Sequence, residues 1–231
     1  MVDPNPFFAP SDLPYGLPPF ATITDAHFLP AFIGGMREQM AEIKLITEQA
    51  DRPSFENTML PLERSGQTLE RVSAVFFNRC SADSSDFTEE FEAKLAPMLA
   101  THSDAISLDP ALYRRIAAIH DRLAVLGLDA ESCYLVERYF IEFTLAGAGL
   151  DEPSKAKLRQ YNQQLATLTT RFERNLLADS NNGAVIFDTV TELDGLTAGE
   201  ISAAAAAAEQ RGLPGKYLVT LVLPTGHPYL G

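Results

Sequence analysis

Positive charge is scarce in this chain. Eighteen lysines and arginines stand against 31 aspartates and glutamates, a formal net charge of −13. A nucleic-acid groove needs clustered cations to neutralise phosphates, so this balance argues against nucleic acid, and against an anionic membrane surface. No run of about 18 apolar residues occurs, so no segment reads as crossing a bilayer. Met1-Val2-Asp3-Pro4-Asn5-Pro6 has no basic stretch followed by an apolar one and does not read as a secretory signal. The expected location is the cytoplasm. Cysteine is nearly absent. Cys80 and Cys133 each sit in an apolar helical pattern, which makes no disulfide framework and predicts reduced, buried thiols.

Recognisable chemistry is also missing. There is no G-x-S-x-G, no P-loop, no dinucleotide glycine pattern and no internal repeat. The four histidines are His27, His102, His120 and His227, and no two lie within five residues of each other. A catalytic zinc usually takes three protein ligands, often two histidines one helical turn apart, plus an open position for water. His120 is expected on a solvated helix surface, and His27 in a capping or packing role at a first helical turn. The acidic group Asp83, Asp86, Glu89, Glu90 and Glu92 fails as a calcium loop. Counted from Asp83, Phe87 and Thr88 fall where an oxygen ligand and a glycine are required. It reads instead as a helix start, where the dipole favours acids. Gly147-Ala148-Gly149 reads as a helix-terminating turn. No catalytic, cofactor-binding or metal-binding residue is assigned.

What is present is mostly helix. With 231 residues and 46% apolar content, the chain is long enough to bury a real core. Residues 1–23 hold Pro4, Pro6, Pro10, Pro14, Pro18 and Pro19, an extended arm whose Phe7, Phe8, Tyr15 and Phe20 are expected to pack on the body. Thr24 caps a first turn, and Pro30 suits the first turn of the helix after it. Phe32, Met36, Met40 and Ile43 share one helix face, with Gly34 and Gly35 allowing a neighbour to approach. Helices over 55–64 and 67–80 break near Ser65-Gly66. Phe87, Phe91, Leu95 and Leu99 mark the next. Asp109-Pro110 opens a helix carrying Leu112, Ile116, Ile119, Leu123 and Leu126, which Gly127 closes. Residues 131–146 hold Tyr134, Leu135, Tyr139, Phe140 and Phe143.

The longest helix covers about 154–178. Leu158, Tyr161, Leu165, Leu168, Phe172 and Leu176 form a near-heptad seam, with Lys155, Lys157, Arg159, Arg171 and Arg174 on its other faces. The seam needs an antiparallel partner helix. Beyond it, residues 184–187 and 217–222 are strand candidates that pair as a ribbon, with a capping box at Thr197-Ala198-Gly199-Glu200 between them. The expected fold is mainly α: an antiparallel multi-helix bundle, a small β ribbon near the C-terminus and an extended Pro-rich N-terminal arm. The expected division is arm 1–23, helical domain 24–180 and strand-helix-strand segment 181–231.

Four blocks carry more than fold. They are Asn5-Pro6-Phe7 with Leu13-Pro14-Tyr15-Gly16-Leu17-Pro18-Pro19-Phe20; His27-Phe28-Leu29-Pro30-Ala31-Phe32; Ser54-Phe55-Glu56-Asn57-Thr58; and Phe172-Glu173-Arg174-Asn175-Leu176-Leu177. In this order they resemble the N-terminal half of the thimet oligopeptidase family of zinc metallopeptidases, nearest its peptidyl-dipeptidase branch. The resemblance implies a helical lobe beside a deep channel that admits short peptides. It also implies zinc on an H-E-x-x-H helix in the C-terminal part, whose glutamate activates the zinc-bound water. No H-E-x-x-H occurs in this sequence, so no catalytic residue carries over and zinc is expected only in the full-length protein.

The strand running into Leu223–Gly231 is expected to lead on into a C-terminal catalytic region. The implied partners are short peptides and that region. The implied role is the non-catalytic lobe of a cytosolic peptidase releasing C-terminal dipeptides, inactive alone. The alternative is a stand-alone helical binding module with no enzymatic activity. Within Ser54–Thr58, Ser54 is an N-cap candidate, and Asn57 and Thr58 can bond nearby backbone. The block's other reading is a face on the substrate channel.

Overall fold

The computed structural model describes residues 5–220, beginning at Asn5. The Asn5 side chain ties the arm at both ends, accepting from Phe7 N at 3.1 Å and donating to the His27 carbonyl at 2.8 Å. The arm is less extended than its prolines suggest. Single 3-10 turns occupy Pro6–Phe8, Pro14–Gly16 and Phe20–Thr22. Of the four arm aromatics only Phe7 is buried; Phe8, Tyr15 and Phe20 are exposed. Tyr15 sits in the left-handed region at φ 61° within the second turn and points away from the body.

The helices are α1 (Asp25–Thr47), α2 (Leu60–Glu63), α3 (Gln67–Ala82), α4 (Asp86–Ser107), α5 (Pro110–His120), α6 (Ala130–Ala146), α7 (Glu152–Asn182) and α8 (Ala198–Gln210). The strands are β1 (Val185–Phe187) and β2 (Tyr217–Val219). The fold is mainly α with a two-stranded antiparallel ribbon. Pro30 lies inside α1 rather than in a first turn, because the helix already begins at Asp25. The α5 helix ends at His120, short of Gly127. A separate 3-10 turn, Leu123–Val125, completes the stripe, and Leu123 and Leu126 still pack on the core.

The chain divides into two compact units, Met1–Leu168 and Thr169–Gly231, with the boundary inside α7. The first unit holds two apolar clusters. One joins Ile43 and Ile46 of α1 to Met59, Leu62, Leu112, Ile116, Ile119, Val136 and Phe143. The other is aromatic: Phe7, Phe28, Phe32, Phe76 and Phe91, with Phe76 and Phe91 edge-to-face at 5.1 Å. Gly35 makes the α1–α3 contact possible, since a Cβ there would lie 2.8 Å from the Leu69 backbone nitrogen.

Side-chain caps set most helix starts. Asp109 Oδ1 accepts from Ala111 N at 2.7 Å and Leu112 N at 2.8 Å, closing the start of α5. Gly147, at φ 96°, ends α6, and Ala148 N reaches back to the Phe143 carbonyl.

In the second unit β1 pairs antiparallel with β2 in the register Val185↔Val219, Ile186↔Leu218 and Phe187↔Tyr217. Leu218 and Val219 are buried, as are Ala204 and Ala208 of α8. Thr197 and Glu200 form the expected capping box. The β2 strand covers Tyr217–Val219; Leu221 and Val222, expected in it, lie outside the described residues, as does the turn 223–231.

Candidate functional site

The block Ser54–Thr58 folds as one π-helical turn, Phe55–Met59, leading into α2. Ser54 N donates to Asn57 Oδ1 at 2.9 Å, and Ser54 Oγ accepts from Asn57 N at 3.3 Å, a reciprocal cap. Asn57 Nδ2 adds a bond to the Arg52 carbonyl at 3.0 Å. Thr58 differs from expectation: its hydroxyl donates to Asn57 Oδ1 at 2.9 Å rather than to backbone.

Arg115, from the buried face of α5, completes this cluster. Its Nη2 donates to Asn57 Oδ1 at 2.9 Å and its Nε to Thr58 Oγ1 at 3.1 Å. Its Nη1 reaches the carbonyls of Gln49 and Asp51 at 3.2 and 3.3 Å. Only 7% of the residue is exposed. Burial pushes its pKa below the ordinary arginine value, partly offset by the charge of Asp51. The fixed fork of five N–H donors suits such a junction, where an ammonium would leave acceptors unpaired. Glu56 of the same turn is exposed, and hydrogen bonds from its own backbone and from Ser54 hold its carboxyl below the usual range. The block therefore works as a joint between α1, α2 and α5. Arg115 was visible in the sequence as a cation in step with Leu112, Ile116 and Ile119, on a face otherwise apolar.

The histidines are dispersed. His27 Nδ1 accepts from Thr24 N at 3.1 Å, the expected capping role. His102 Nε2 lies 2.6 Å from Gln39 Oε1, and burial holds its pKa below the ordinary value. His120 is not on a solvated surface. It is half-buried, with its ring stacked 3.9 Å from Phe140. The reason is helical phase: His120 follows Ile116 by four residues and Tyr113 by seven, so it shares the face of α5 on which Tyr113 also stacks on Phe140. His227 lies outside the described residues.

In the acidic group Ser85 caps α4 with Thr88 buried beneath it, and Asp83, Asp86 and Glu90 are exposed around that helix start. Cys80 and Cys133 are free and half-buried, and burial pushes the Cys80 thiol up to about 11. Tyr139 OH donates to Glu63 Oε2, and burial with that bond raises its pKa. Among the described residues no group of three or more His, Cys, Asp or Glu is placed to hold a metal ion. The described residues do not fit the zinc that the resemblance implies.

The long helix departs most from expectation. Lys155, expected on an outer face, is only 2% exposed, and its Nζ donates to the Leu108 carbonyl at the end of α4, 3.0 Å away. Leu158, the first member of the apolar seam, is half-buried beside Gly147, but the seam beyond it is exposed: Tyr161, Leu165 and Leu168 are about 60% exposed (64%, 62% and 59%). Among the described residues no antiparallel helix covers it.

An open cleft of about 420 Å³ lies between the arm and α3, lined by Phe7, Pro18, Pro19, Glu70, Arg71 and Val75. Its guanidinium is engaged: Arg71 donates to the Phe7 carbonyl and to Thr68. No described helix is long and apolar enough to cross a membrane.

No family model matches the chain. It is similar to dipeptidyl carboxypeptidase of Escherichia coli strain K12, 40% identical over 230 residues, covering 100% of this chain and 34% of the relative. The Salmonella typhimurium dipeptidyl carboxypeptidase is 39% identical over 226 residues, covering 98% and 33%. Oligopeptidase A of Haemophilus influenzae is 27% identical over 218 residues, covering 93% and 31%. The chain thus spans about a third of the length of the curated relatives it matches. These matches fit the N-terminal region of the thimet oligopeptidase family.

Proposed function

We propose that this chain is the non-catalytic N-terminal lobe of a cytosolic zinc metallopeptidase that hydrolyses short oligopeptides and releases C-terminal dipeptides. One observation carries the reading: the whole chain aligns, at 40% identity, with about a third of a dipeptidyl carboxypeptidase. In this reading residues 1–23 are the arm, 24–180 the helical body, and 181–231 lead into the catalytic region. The lobe supplies scaffold and a wall of the substrate channel, so it limits peptide length by steric exclusion. The Arg115 joint and the tight α1–α3 contact support a rigid wall. Zinc and the water-activating glutamate belong to the catalytic region, and the fragment alone is inactive.

The test is native mass spectrometry of the protein as its source cell makes it, with bound zinc counted in the same run. The reading expects a species about three times as long as this chain, carrying one zinc. Peptide hydrolysis or stoichiometric zinc in the isolated 231 residues would overturn it. The exposed seam of α7 favours a second reading, a stand-alone binding module. A zinc-free native species of this chain's own length would establish that reading instead.

A further inference from the structure

Apart from Leu158, which is half-buried beside Gly147, the α7 helix packs through its polar side. At 3.6 residues per turn, Lys155, Asn162 and Ala166 fall within about 40° of one another, and Tyr161, Leu165 and Leu168 within about 60° on another face. The polar face is held by α4. Asn162 Nδ2 donates to Asp104 Oδ1 at 2.6 Å and Gln163 Nε2 to Thr101 Oγ1 at 3.0 Å, beside the Lys155–Leu108 bond. The apolar face is left in water, and Phe172 and Leu176 continue it at the same spacing on the helix. An uncovered seam of this regularity marks an interaction surface.

Two facts identify the occupant. The relatives extend well beyond the matched third, so their remainder is available to cover the seam. The charge beside the seam is one-sided: Lys157 and Arg171 flank it seven-residue steps apart, with Gln164 between them. No acid occurs in α7 between Glu152 and Glu173, although the chain carries −13 overall. An antiparallel second copy would bring the same flank of each helix together, cation against cation. An acidic flank is the complement.

We propose that the Tyr161–Leu165–Leu168 face of α7 seats an amphipathic helix with an acidic flank, supplied by the region corresponding to the remaining two-thirds of the relatives. The inference rests on the reading above as an N-terminal lobe.

The experiment co-produces the full 231-residue chain with a probe. The probe is the part of the E. coli dipeptidyl carboxypeptidase that follows its matched segment, as a separate polypeptide. A 1:1 complex is expected. Leu165→Asp with Leu168→Asp weakens it at least about 30-fold, and Lys157→Glu with Arg171→Glu about 10-fold, more at low salt. Both pairs are solvent-exposed, so the variant chains keep the parent melting temperature, which is measured alongside. No complex, or a complex indifferent to these changes, overturns the inference; in the second case the peptidase reading stands. Dimerisation of the chain alone, abolished by Leu165→Asp, also overturns it in favour of a second copy. A seam-dependent complex that binds no zinc and cleaves no peptide supports the surface and removes the peptidase reading.

Discussion

Helices α5 and α7 are both amphipathic, and both bury a single cation. In α5 the apolar stripe is inside: Leu112, Ile116 and Ile119 are fully buried, and Arg115 beside them is enclosed by four acceptors. In α7 the stripe is outside, and the buried cation, Lys155, meets a carbonyl at a helix end. Periodicity in a sequence thus announces that a helix has a partner. It does not say that the partner is in the same 231 residues.

The widest separation between the two helices is expected from truncations. Ile116→Ala, in the packed stripe, lowers unfolding free energy by about 2–5 kcal/mol. Leu165→Ala, in the open one, changes it by less than about 0.5 kcal/mol. Urea titrations of both variants check this, and equal losses would break the contrast.

The cations come next. Arg115→Met strips donors from Asn57, Thr58 and two carbonyls and costs about 3 kcal/mol. Lys155→Met orphans one carbonyl and costs about 1–2 kcal/mol, by the same titration.

Gly35→Ala places a methyl 2.8 Å from the Leu69 nitrogen and separates α1 from α3, costing about 1–3 kcal/mol. The thermal midpoint of that variant shows whether the two helices yield. Asp109→Ala removes the cap of α5 and costs about 1 kcal/mol.

The smallest effect is on pH. His102 titrates below its ordinary value of 6.5 in the folded chain because it is buried, so the unfolded chain binds the proton first. Its contribution is complete above pH 6.5 and is lost as pH falls through 6.5 toward the lower folded value. His102→Gln flattens stability over that window, and an unchanged slope would remove His102 as its cause.

Much of the fold was legible residue by residue. Caps at Thr24, Ser54, Asp109 and Thr197 stand where the pattern places them, because a cap is local chemistry. The break at Ser65-Gly66 follows for the same reason, and the β1–β2 ribbon, though its strands are distant in sequence, follows from two short β-branched and aromatic runs. What was not legible depends on distant partners. Arg115 bridges more than 50 residues of sequence to reach Asn57, and Lys155 reaches back to Leu108. His120 reads as exposed because nothing nearby reveals that Phe140 will cover it. The four blocks Asn5–Phe20, His27–Phe32, Ser54–Thr58 and Phe172–Leu177 were legible as a resemblance. The joint that Ser54–Thr58 forms with α5 required the structure.

The contact between α4 and α7 is made of pegs rather than grease. Apolar helix surfaces slide and roll over one another with little loss, whereas hydrogen bonds are directional. Turning α7 by one residue, about 100°, would break its bonds to Thr101, Asp104 and Leu108 together. The azimuth of its seam is therefore indexed before anything docks on it, and an arriving helix need not spend binding energy on setting it.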